Sequence, residues 1–371
     1  MTSLDDLAPT LDRLVDDGHL AGWVAGTSDG TGSTIRHGGR RALDGDTIDG
    51  DAMSADTQFA LSSTTKPIGG VLALRLVEQG TLALDDPIGR WIHELAEPRV
   101  LTSPGAPLDD TVPAERPITV HHLLTMTPGF GWVAEPGPLA DALSDLEIEP
   151  GPWGPAMSPD DFAARLGSLP LAEQPGTAWR YHTSSDLLGV LLARATGRSV
   201  ADLLAEHVLG PLGMTDTSFV GDPDRMATAY GPADEGGITP FPVPPGTYTE
   251  QPPFESLAAG LVSTVPDQLA FLGTLAGTGP ALLHPSTLTQ LRTDHLTEAQ
   301  RSSAAGFLDP GCGWGYQVEV RTDGLVGWAG GLGTIGYADP RTGRAAVLAT
   351  QVSFEGRGTT ESFDRFWSLF A

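Results

Sequence analysis

The chain has 371 residues, of which 40% are hydrophobic and 7% aromatic, and a formal net charge of -26. This composition is typical of a globular protein with a large buried core, while the negative charge argues against nucleic acid or an anionic membrane as a partner. The single cysteine, Cys312, excludes an intrachain disulfide and a CxxC metal site, and no HExxH pattern is present. We therefore expect no metal and no cofactor.

The first twenty residues, MTSLDDLAPTLDRLVDDGHL, are acidic and amphipathic. They lack the basic segment followed by an apolar run that marks a signal peptide. No apolar run elsewhere approaches the roughly 18 residues that span a bilayer. The sequence therefore predicts a soluble, cytoplasmic protein.

A first strand is predicted over Leu20–Thr27, and a possible nucleophile motif overlaps its end. Gly26–Gly30 matches GxSxG, with Ser28 in the nucleophile position. That motif needs a helix directly after the serine. The following TGSTIRHGGR has no helical periodicity, so Ser28 is predicted to lie at a hairpin turn.

From Ser63 to Gly80 the apolar residues recur at helical spacing, which predicts a helix that begins with an S-x-x-K box. Lys66 is the only lysine among 21 basic residues. On a helix, Ser63 and Lys66 lie on one face. A lysine amine can take the serine proton when burial lowers its pKa, whereas an arginine cannot. Ser63 and Lys66 are thus predicted to be catalytic and Ser62 to belong to the helix start; the alternative is a surface lysine at an accidental spacing.

The middle of the chain is a run of helices and long Pro/Gly loops, and strands return after Gly311. Ser199 and Asp202 form a predicted capping box ahead of LLAEHVL. The later segments GWGYQVEV, LVGWAGG, TIGYAD and RAAVLATQV are predicted strands, and ESFDRFWSLF is a predicted helix. This order predicts an α/β fold of the α+β type, with an antiparallel sheet from both chain ends, flanking helices and a large helical insertion.

The expected domain division follows the same pattern. Residues 1–60 and 305–371 would form a discontinuous sheet domain, and residues 61–304 a mainly helical one, with the active site at their interface. A second glycine motif, GxGxxG at Gly331–Gly336, would need a following helix to hold a dinucleotide. Because YADPRTG and another strand follow, we reject a cofactor site there.

Several segments in order resemble the serine hydrolases of the β-lactamase and penicillin-binding-protein superfamily, specifically the class C-like branch. FALSSTTKPIGG resembles the family's nucleophile segment, and GTLALDDPI the turn after it. ITVHHLLTMTPGF resembles the HLLTHTSGL stretch, with Met126 where a histidine is usual. PGTAWRYHTSSDLLGVLLARATGRSVADLLAEHVLGPLGMTDTSF resembles the second motif region. The resemblance covers nearly the whole chain and implies a β-lactamase/transpeptidase-like fold.

The family's second motif is Y-x-N, and Tyr181-His182-Thr183 stands in its place. The resemblance implies that Tyr181 is the general base that partners Lys66. Thr183 replaces the usual asparagine, and we expect His182 and Thr183 to line the substrate pocket. A structural role for Tyr181 in the core is the alternative.

The third motif, K/H-T-G, is matched by Trp328-Ala329-Gly330. The cation that helps to hold a β-lactam carboxylate is absent, and the W-x-G form is similar to the family VIII carboxylesterases. The resemblance implies an oxyanion hole made by the N–H groups of Ser63 and Gly331, with Trp328, Ala329 and Gly330 lining the pocket. Trp328 could instead be strand core.

These observations predict a serine hydrolase that forms an acyl-serine intermediate on short-chain or neutral carboxylic esters. A β-lactamase or D-amino-acid peptidase is an alternative, which would need a carboxylate anchor such as Arg321 or another arginine. An acyltransferase of a biosynthetic pathway and a non-catalytic, penicillin-recognising binding protein also stay open. The expected partner is a small-molecule ester or amide; no oligomeric state is predicted.

Overall fold

The computed structural model describes residues 3–43, 52–234 and 236–371. Its α-helices are α1 Leu4–Asp16, α2 Thr65–Glu78, α3 Val120–Leu124, α4 Pro138–Asp145, α5 Pro159–Gly167, α6 Thr183–Thr196, α7 Val200–Leu204, α8 Gly210–Leu212, α9 Val265–Ala276, α10 Pro285–Leu291, α11 Glu298–Ser303 and α12 Arg357–Phe366. Its strands are β1 Gly22–Ser28, β2 Ser33–Gly39, β3 Phe59–Ala60, β4 Arg99–Leu101, β5 Thr111–Pro113, β6 Tyr230–Pro232, β7 Ile238–Pro240, β8 Val262–Ser263, β9 Gly313–Trp314, β10 Glu319–Val320, β11 Val326–Gly330, β12 Thr334–Asp339 and β13 Arg344–Ala349. Turns of 3₁₀ helix lie at Ser62–Thr64, Ile88–Arg90, His93–Leu95 and Trp367–Phe370, and a π-helical turn spans Ala205–Leu209.

One seven-stranded antiparallel sheet joins the two ends of the chain. Its strand order is β2-β1-β13-β12-β11-β10-β9. Strand β1 pairs with β13, so that Val24 lies opposite Ala349, and β12 pairs with β13 on its other side. The prediction of an antiparallel sheet built from both chain ends and flanked by helices is confirmed.

The sheet lies between two layers of helices because its strands alternate buried side chains between two faces. Trp23 and Ala25 of β1 belong to an apolar cluster with Leu11 of α1 and Phe366 of α12. Val24, between them, belongs to the larger cluster with Leu269 of α9. The terminal helices therefore cover one face, and α9 with the helical insertion covers the other.

Helix α2 runs through the larger cluster, and every residue from Thr65 to Leu74 is buried. The 3₁₀ turn Ser62–Thr64 leads directly into it. The helix ends before Gly80, whose φ of 74° lies in the left-handed region that glycine adopts without a steric cost. Its amino end is thereby held inside the protein, beside the sheet.

Both rejected glycine motifs lie in antiparallel connections. Ser28 ends β1 and is paired with Ser33 at the start of β2, which confirms the predicted hairpin. The segment after Gly330 turns into β12, where Thr334 pairs with Gly330. Neither the GxSxG motif nor the GxGxxG motif is followed directly by a helix.

Two local predictions were wrong in detail. The hydroxyl of Ser199 accepts the N–H of Asp202 at 3.1 Å, but the reciprocal bond of a capping box is not formed, and the helix passes into the π-helical turn within LLAEHVL. GWGYQVEV is not one strand: β9 and β10 are separated by Gln317, whose φ of 66° breaks the extended backbone.

The domain boundaries stay a prediction. Helix α9, which lies within the predicted helical segment, covers the sheet directly: a Cβ on Gly26 of β1 would lie 2.7 Å from Leu269. Within the described residues, no helix is long and apolar enough to cross a membrane, and no group of three His, Cys, Asp or Glu side chains could hold a metal ion.

Candidate active site

The S-x-x-K box forms a direct contact at the amino end of α2. The Ser63 hydroxyl and the Lys66 amine lie 2.9 Å apart, on one face of the helix, as the spacing predicts. Ser62, the preceding residue, has a left-handed φ of 48°, and its hydroxyl has no hydrogen-bond partner among the described residues. The adjacent serines therefore differ, and only Ser63 faces the lysine.

Lys66 is fully buried, which is rare for a lysine. Burial lowers the pKa of its amine from an ordinary value of 10.5 to about 7, against the opposing charge of Asp186. At neutral pH a large fraction of Lys66 is therefore unprotonated and able to accept a proton. The amine also donates to the Ala258 carbonyl at 2.8 Å.

Tyr181 and Trp328 complete the surroundings of Ser63. The Trp328 indole N–H donates to the Tyr181 hydroxyl at 2.6 Å, and the Ser63 side chain also hydrogen bonds with that hydroxyl. The Lys66 amine lies 4.5 Å from the centre of the Tyr181 ring. Burial raises the pKa of Tyr181 well above its ordinary value, with the bonds from Ser63 and Trp328 opposing the shift, so the free protein holds a neutral phenol.

His182 and Thr183 are both buried and lie at the start of α6. The Nδ1 of His182 lies 3.4 Å from the Lys66 amine, whereas Thr183 lines a small apolar cavity with Phe130 and Leu143. Lys66 is thus contacted by the middle residue of Tyr181-His182-Thr183. That both line the substrate pocket stays a prediction.

Sequence reasoning missed the residues behind His182. Its Nε2 lies 3.5 Å from Asp186, one helical turn along α6, and Asp186 accepts a hydrogen bond from Ser256 at 2.5 Å. The i, i+4 spacing of His182 and Asp186 was a usable signal. Ser256 and Ala258 come from a distant loop, and no local pattern connects them with α6.

The third motif lies against the 3₁₀ turn Ser62–Thr64, which carries Ser63. A Cβ on Gly330 would lie 2.3 Å from the Leu61 carbonyl, so only glycine allows β11 to approach this closely. Among the described residues, the N–H of Gly331 donates to no acceptor. Ala329 packs against the apolar cluster that contains Leu11 of α1 and Phe366 of α12, so it lies on the opposite face of the sheet from Trp328.

A group of aromatic rings in contact extends from Tyr181 to the protein surface. Sequence reasoning also missed its outer members. Phe307 lies 4.7 Å from the Tyr181 ring and 5.9 Å from Trp132. Both are exposed, Phe307 by 37% and Trp132 by 41%. Trp179 and Trp314 are the buried part of the same group of rings. Exposed large aromatic side chains that continue into a buried cluster of polar and aromatic groups are typical of a binding surface.

Two arginines that could hold a substrate anion, Arg180 and Arg321, are engaged by carboxylates. Arg180 donates to Glu173 at 2.9 Å, and Arg321 lies 3.1 Å from Asp309 and 3.7 Å from Glu319. Arg321 also lies over the Trp367 ring, at 4.0 Å, on the side of the terminal helices. Neither offers an unpaired guanidinium to a substrate anion.

Comparison with known proteins shows the family and the fold of the chain. The Beta-lactamase family model matches residues 7–364. Protein Rv1367c of Mycobacterium tuberculosis is 36% identical over 316 residues, which cover 78% of this chain and 76% of that protein. Esterase EstB of Burkholderia gladioli is 32% identical over 335 residues, covering 83% and 80%.

Among solved structures, EstCE1, described as a hydrolase with promiscuous acyltransferase activity, matches with a TM-score of 0.83 and 25% identity over 98% of each chain. The family model and the solved structure match nearly the whole chain, and the two relatives match 78% and 83% of it. The chain belongs to the beta-lactamase family and is a serine hydrolase similar to the family VIII carboxylesterases.

Proposed function

We propose that the protein is a carboxylesterase that acts on neutral esters through an acyl intermediate on Ser63. The observation that carries this proposal is the 2.9 Å contact between the Ser63 hydroxyl and the fully buried Lys66 amine. A serine needs a base within hydrogen-bond distance, and burial lowers the pKa of Lys66 to about 7, so that a large fraction of the amine can accept a proton at neutral pH.

In the acylation step, Ser63 Oγ attacks the ester carbonyl carbon and passes its proton to Lys66 Nζ. Negative charge then develops on the carbonyl oxygen, where the N–H groups of Ser63 and Gly331 would stabilise it. The C–O bond to the alcohol breaks, and the leaving oxygen takes a proton through the neutral Tyr181 phenol, which Lys66 re-protonates. Water then attacks the acyl-serine, and the proton returns to Ser63 by the same route.

This scheme assigns Tyr181 the role of a proton relay. Burial opposes formation of its phenolate, and the Trp328 N–H occupies one side of its oxygen. Its own O–H is thereby directed toward the reacting groups. The implied general-base role of Tyr181 stays a prediction, with Lys66 supported as the acceptor of the Ser63 proton.

The surroundings favour an uncharged substrate with an apolar part. Trp328 replaces the cation of the third motif, and the nearby Arg180 is paired with Glu173. Phe307 and Trp132 offer an exposed aromatic surface that continues from Tyr181. We place the apolar group of the ester on this surface, and the name of the relative EstB, an esterase, supports the same class.

Transfer of the acyl group to an alcohol is a second candidate. EstCE1, to which the chain is similar, is described as having promiscuous acyltransferase activity. An alcohol that occupied the aromatic surface would compete with water for the acyl-serine. Hydrolysis and transfer would then share Ser63 and differ only in the acceptor.

The experiment compares hydrolysis of p-nitrophenyl acetate and butyrate with that of a chromogenic cephalosporin, with and without added alcohol. We expect fast ester hydrolysis, an acyl adduct on the intact protein by mass spectrometry, and loss of both in Ser63→Ala. Lys66→Arg, which keeps the charge but cannot give up the proton, should be equally inactive. Fast cephalosporin turnover with negligible ester hydrolysis would overturn the substrate class, and an active Ser63→Ala would overturn the nucleophile.

A further inference from the structure

Lys66 of α2 belongs to a closed ring of buried polar groups. The other members lie at the start of α6 and in the loop that contains Ser256 and Ala258. Its amine lies 3.4 Å from His182 Nδ1 and donates to the Ala258 carbonyl at 2.8 Å. His182 Nε2 lies 3.5 Å from Asp186, and Ser256 donates to Asp186 at 2.5 Å. The N–H of Ala258 donates to the Ser256 hydroxyl at 3.1 Å, which closes the ring.

The donors and acceptors of this ring are mutually consistent. Burial, and then the charge of Lys66, lower the pKa of His182, so its ring is neutral and carries one proton. With that proton on Nε2, the ring donates to Asp186, and Nδ1 accepts from the Lys66 amine. When Lys66 is unprotonated, one amine hydrogen goes to His182 and the other to Ala258, which leaves the nitrogen lone pair for the Ser63 hydroxyl.

The backbone also supports the ring. His182 has a left-handed φ of 83°, an uncommon and costly conformation for a histidine. This conformation places the ring of His182 between Lys66 and Asp186 while Tyr181, the preceding residue, faces Ser63. The serine of the loop, Ser256, is held by two backbone N–H groups, from Ala258 and Ala259.

From this closed ring we infer that His182, Asp186 and Ser256 are positioning residues, which hold the Lys66 amine with its lone pair toward Ser63. The inference rests on the proposed function, since it assigns Lys66 as the base. A lysine side chain has four rotatable bonds, and a base displaced by about 1 Å can lose about 100-fold in rate. His182 and the Ala258 carbonyl hold the Lys66 amine from two sides, and the Asp186 carboxylate connects them through Ser256.

In the described part of the chain, the titratable side chains that face Lys66 are those of Tyr181, His182 and Asp186, with Ser63 as the polar neighbour on its own segment. Tyr181 and His182 are neutral near pH 7, because burial raises the pKa of one and lowers that of the other. Asp186 is therefore the charged group whose removal should affect the amine most.

Because Lys66 is the only lysine, its titration can be followed directly. Protein labelled with ¹³C-lysine should give one Cε resonance, whose pH dependence reports the Lys66 amine without any activity measurement. In Asp186→Asn we expect its midpoint to move to lower pH, and the acidic limb of kcat/KM to move with it. At a pH above this limb, kcat should fall by up to about 100-fold with a smaller change in KM.

Ser256→Ala is the second variant, because Ser256 has no hydrogen bond to Lys66 and is connected to it through Asp186 and Ala258. It should also lower kcat and change the lysine titration. The matched control is Ser185→Ala, which removes an equally buried hydroxyl from α6, one that donates at 2.6 Å to Gln317, outside the ring. Ser185→Ala should lower the melting temperature without changing the titration or the pH profile.

The outcomes separate the two proposals. If Ser256→Ala and a folded Asp186→Asn leave the lysine titration and the pH profile unchanged, while Ser63→Ala is inactive, the ring has no positioning role and the proposed function stands. If Asp186→Asn does not fold, Ser256→Ala decides. If Ser63→Ala is active, the proposed function fails, and the role of the ring in catalysis fails with it.

Discussion

At the scale of single residues, the indole of Trp328 both packs against other aromatic rings and donates a hydrogen bond. It packs among the rings around Tyr181, with the Trp314 ring 4.8 Å away, and it donates to the Tyr181 hydroxyl at 2.6 Å. The indole N–H of Trp314 is buried too, but it has no hydrogen-bond partner among the described residues. The pair therefore allows packing and hydrogen bonding to be separated.

We expect Trp328→Phe to lower kcat about 10-fold, because a hydrogen bond of about 1.4 kcal/mol that orients the Tyr181 hydroxyl is lost. Trp314→Phe removes a similar volume and no hydrogen bond. Both variants should lose about 1 to 3 kcal/mol of unfolding free energy. Steady-state kinetics on p-nitrophenyl butyrate and urea unfolding measure the two effects, and equal kcat values in both variants would contradict the role of the N–H.

Whether a contact in the site can be predicted from the sequence depends on how far apart its two residues lie along the chain. Ser63 and Lys66 are three residues apart on one helix, so spacing alone predicts their contact. His182 and Asp186 have a comparable spacing, but an i, i+4 pair of polar residues is common on helices and does not by itself indicate a site. Ser256 lies 70 residues from Asp186, and its contact depends on how the loop folds back over α6.

At the scale of elements, the site depends on how closely β11 approaches the 3₁₀ turn Ser62–Thr64. The Leu61 carbonyl at this turn accepts the hydroxyls of Thr64 and of Thr334 on β12, both at 2.8 Å. Gly330 lies over the same carbonyl, with no room for a side chain. This three-way contact positions Ser63 relative to the third motif.

Gly330→Ala tests that contact. Its Cβ would lie 2.3 Å from both the Leu61 oxygen and the Thr334 hydroxyl, so the strand or the turn must move. We expect a loss of about 1 to 3 kcal/mol of unfolding free energy and a lower kcat. In Gly331→Ala, the nearest atom to the new Cβ is the Ser62 hydroxyl at 3.7 Å, and the melting temperature should stay unchanged. Equal melting temperatures in the two variants would contradict the close approach.

Element prediction succeeded where one local pattern determined the outcome and failed where a distant contact did. TIGYAD is β12 from its first residue to its last. GWGYQVEV has the same alternation, yet Gln317 leaves the strand because its amide donates to the Leu123 carbonyl at 2.9 Å and accepts the Ser185 hydroxyl at 2.6 Å. Those partners lie more than 130 residues away, beyond any local pattern.

At the scale of the whole molecule, the use of arginine in place of lysine leaves a single amine side chain that can titrate. Twenty of the 21 basic residues keep their charge up to high pH, and only Lys66 has an ordinary pKa near 10.5 that folding lowers to about 7. Burial also raises the pKa of the Cys312 thiol and of Tyr181, Tyr248 and Tyr316. These groups lower stability only near and above pH 9, where they ionise in the unfolded chain.

Between pH 7 and about 9, the stability of the protein should therefore follow Lys66. The unfolded chain holds its proton up to about pH 10.5, while the folded protein releases it near 7, so the unfolded state binds more protons in this range. The unfolding free energy then rises with pH, by up to about 1.4 kcal/mol per unit, and this contribution is lost as the pH falls to 7.

Lys66→Met keeps the length of the side chain and removes the titration. The contacts that it loses, to Ala258 and Ser63, lower stability by an amount that does not depend on pH in this range. Urea unfolding at pH 7, 8 and 9 should give a rising unfolding free energy for the wild type and a flatter one for Lys66→Met. Their difference should thus change steadily in favour of the wild type as the pH increases. Parallel curves would mean that Lys66 is protonated in the folded protein at these pH values, and it would then be unable to act as the base for Ser63.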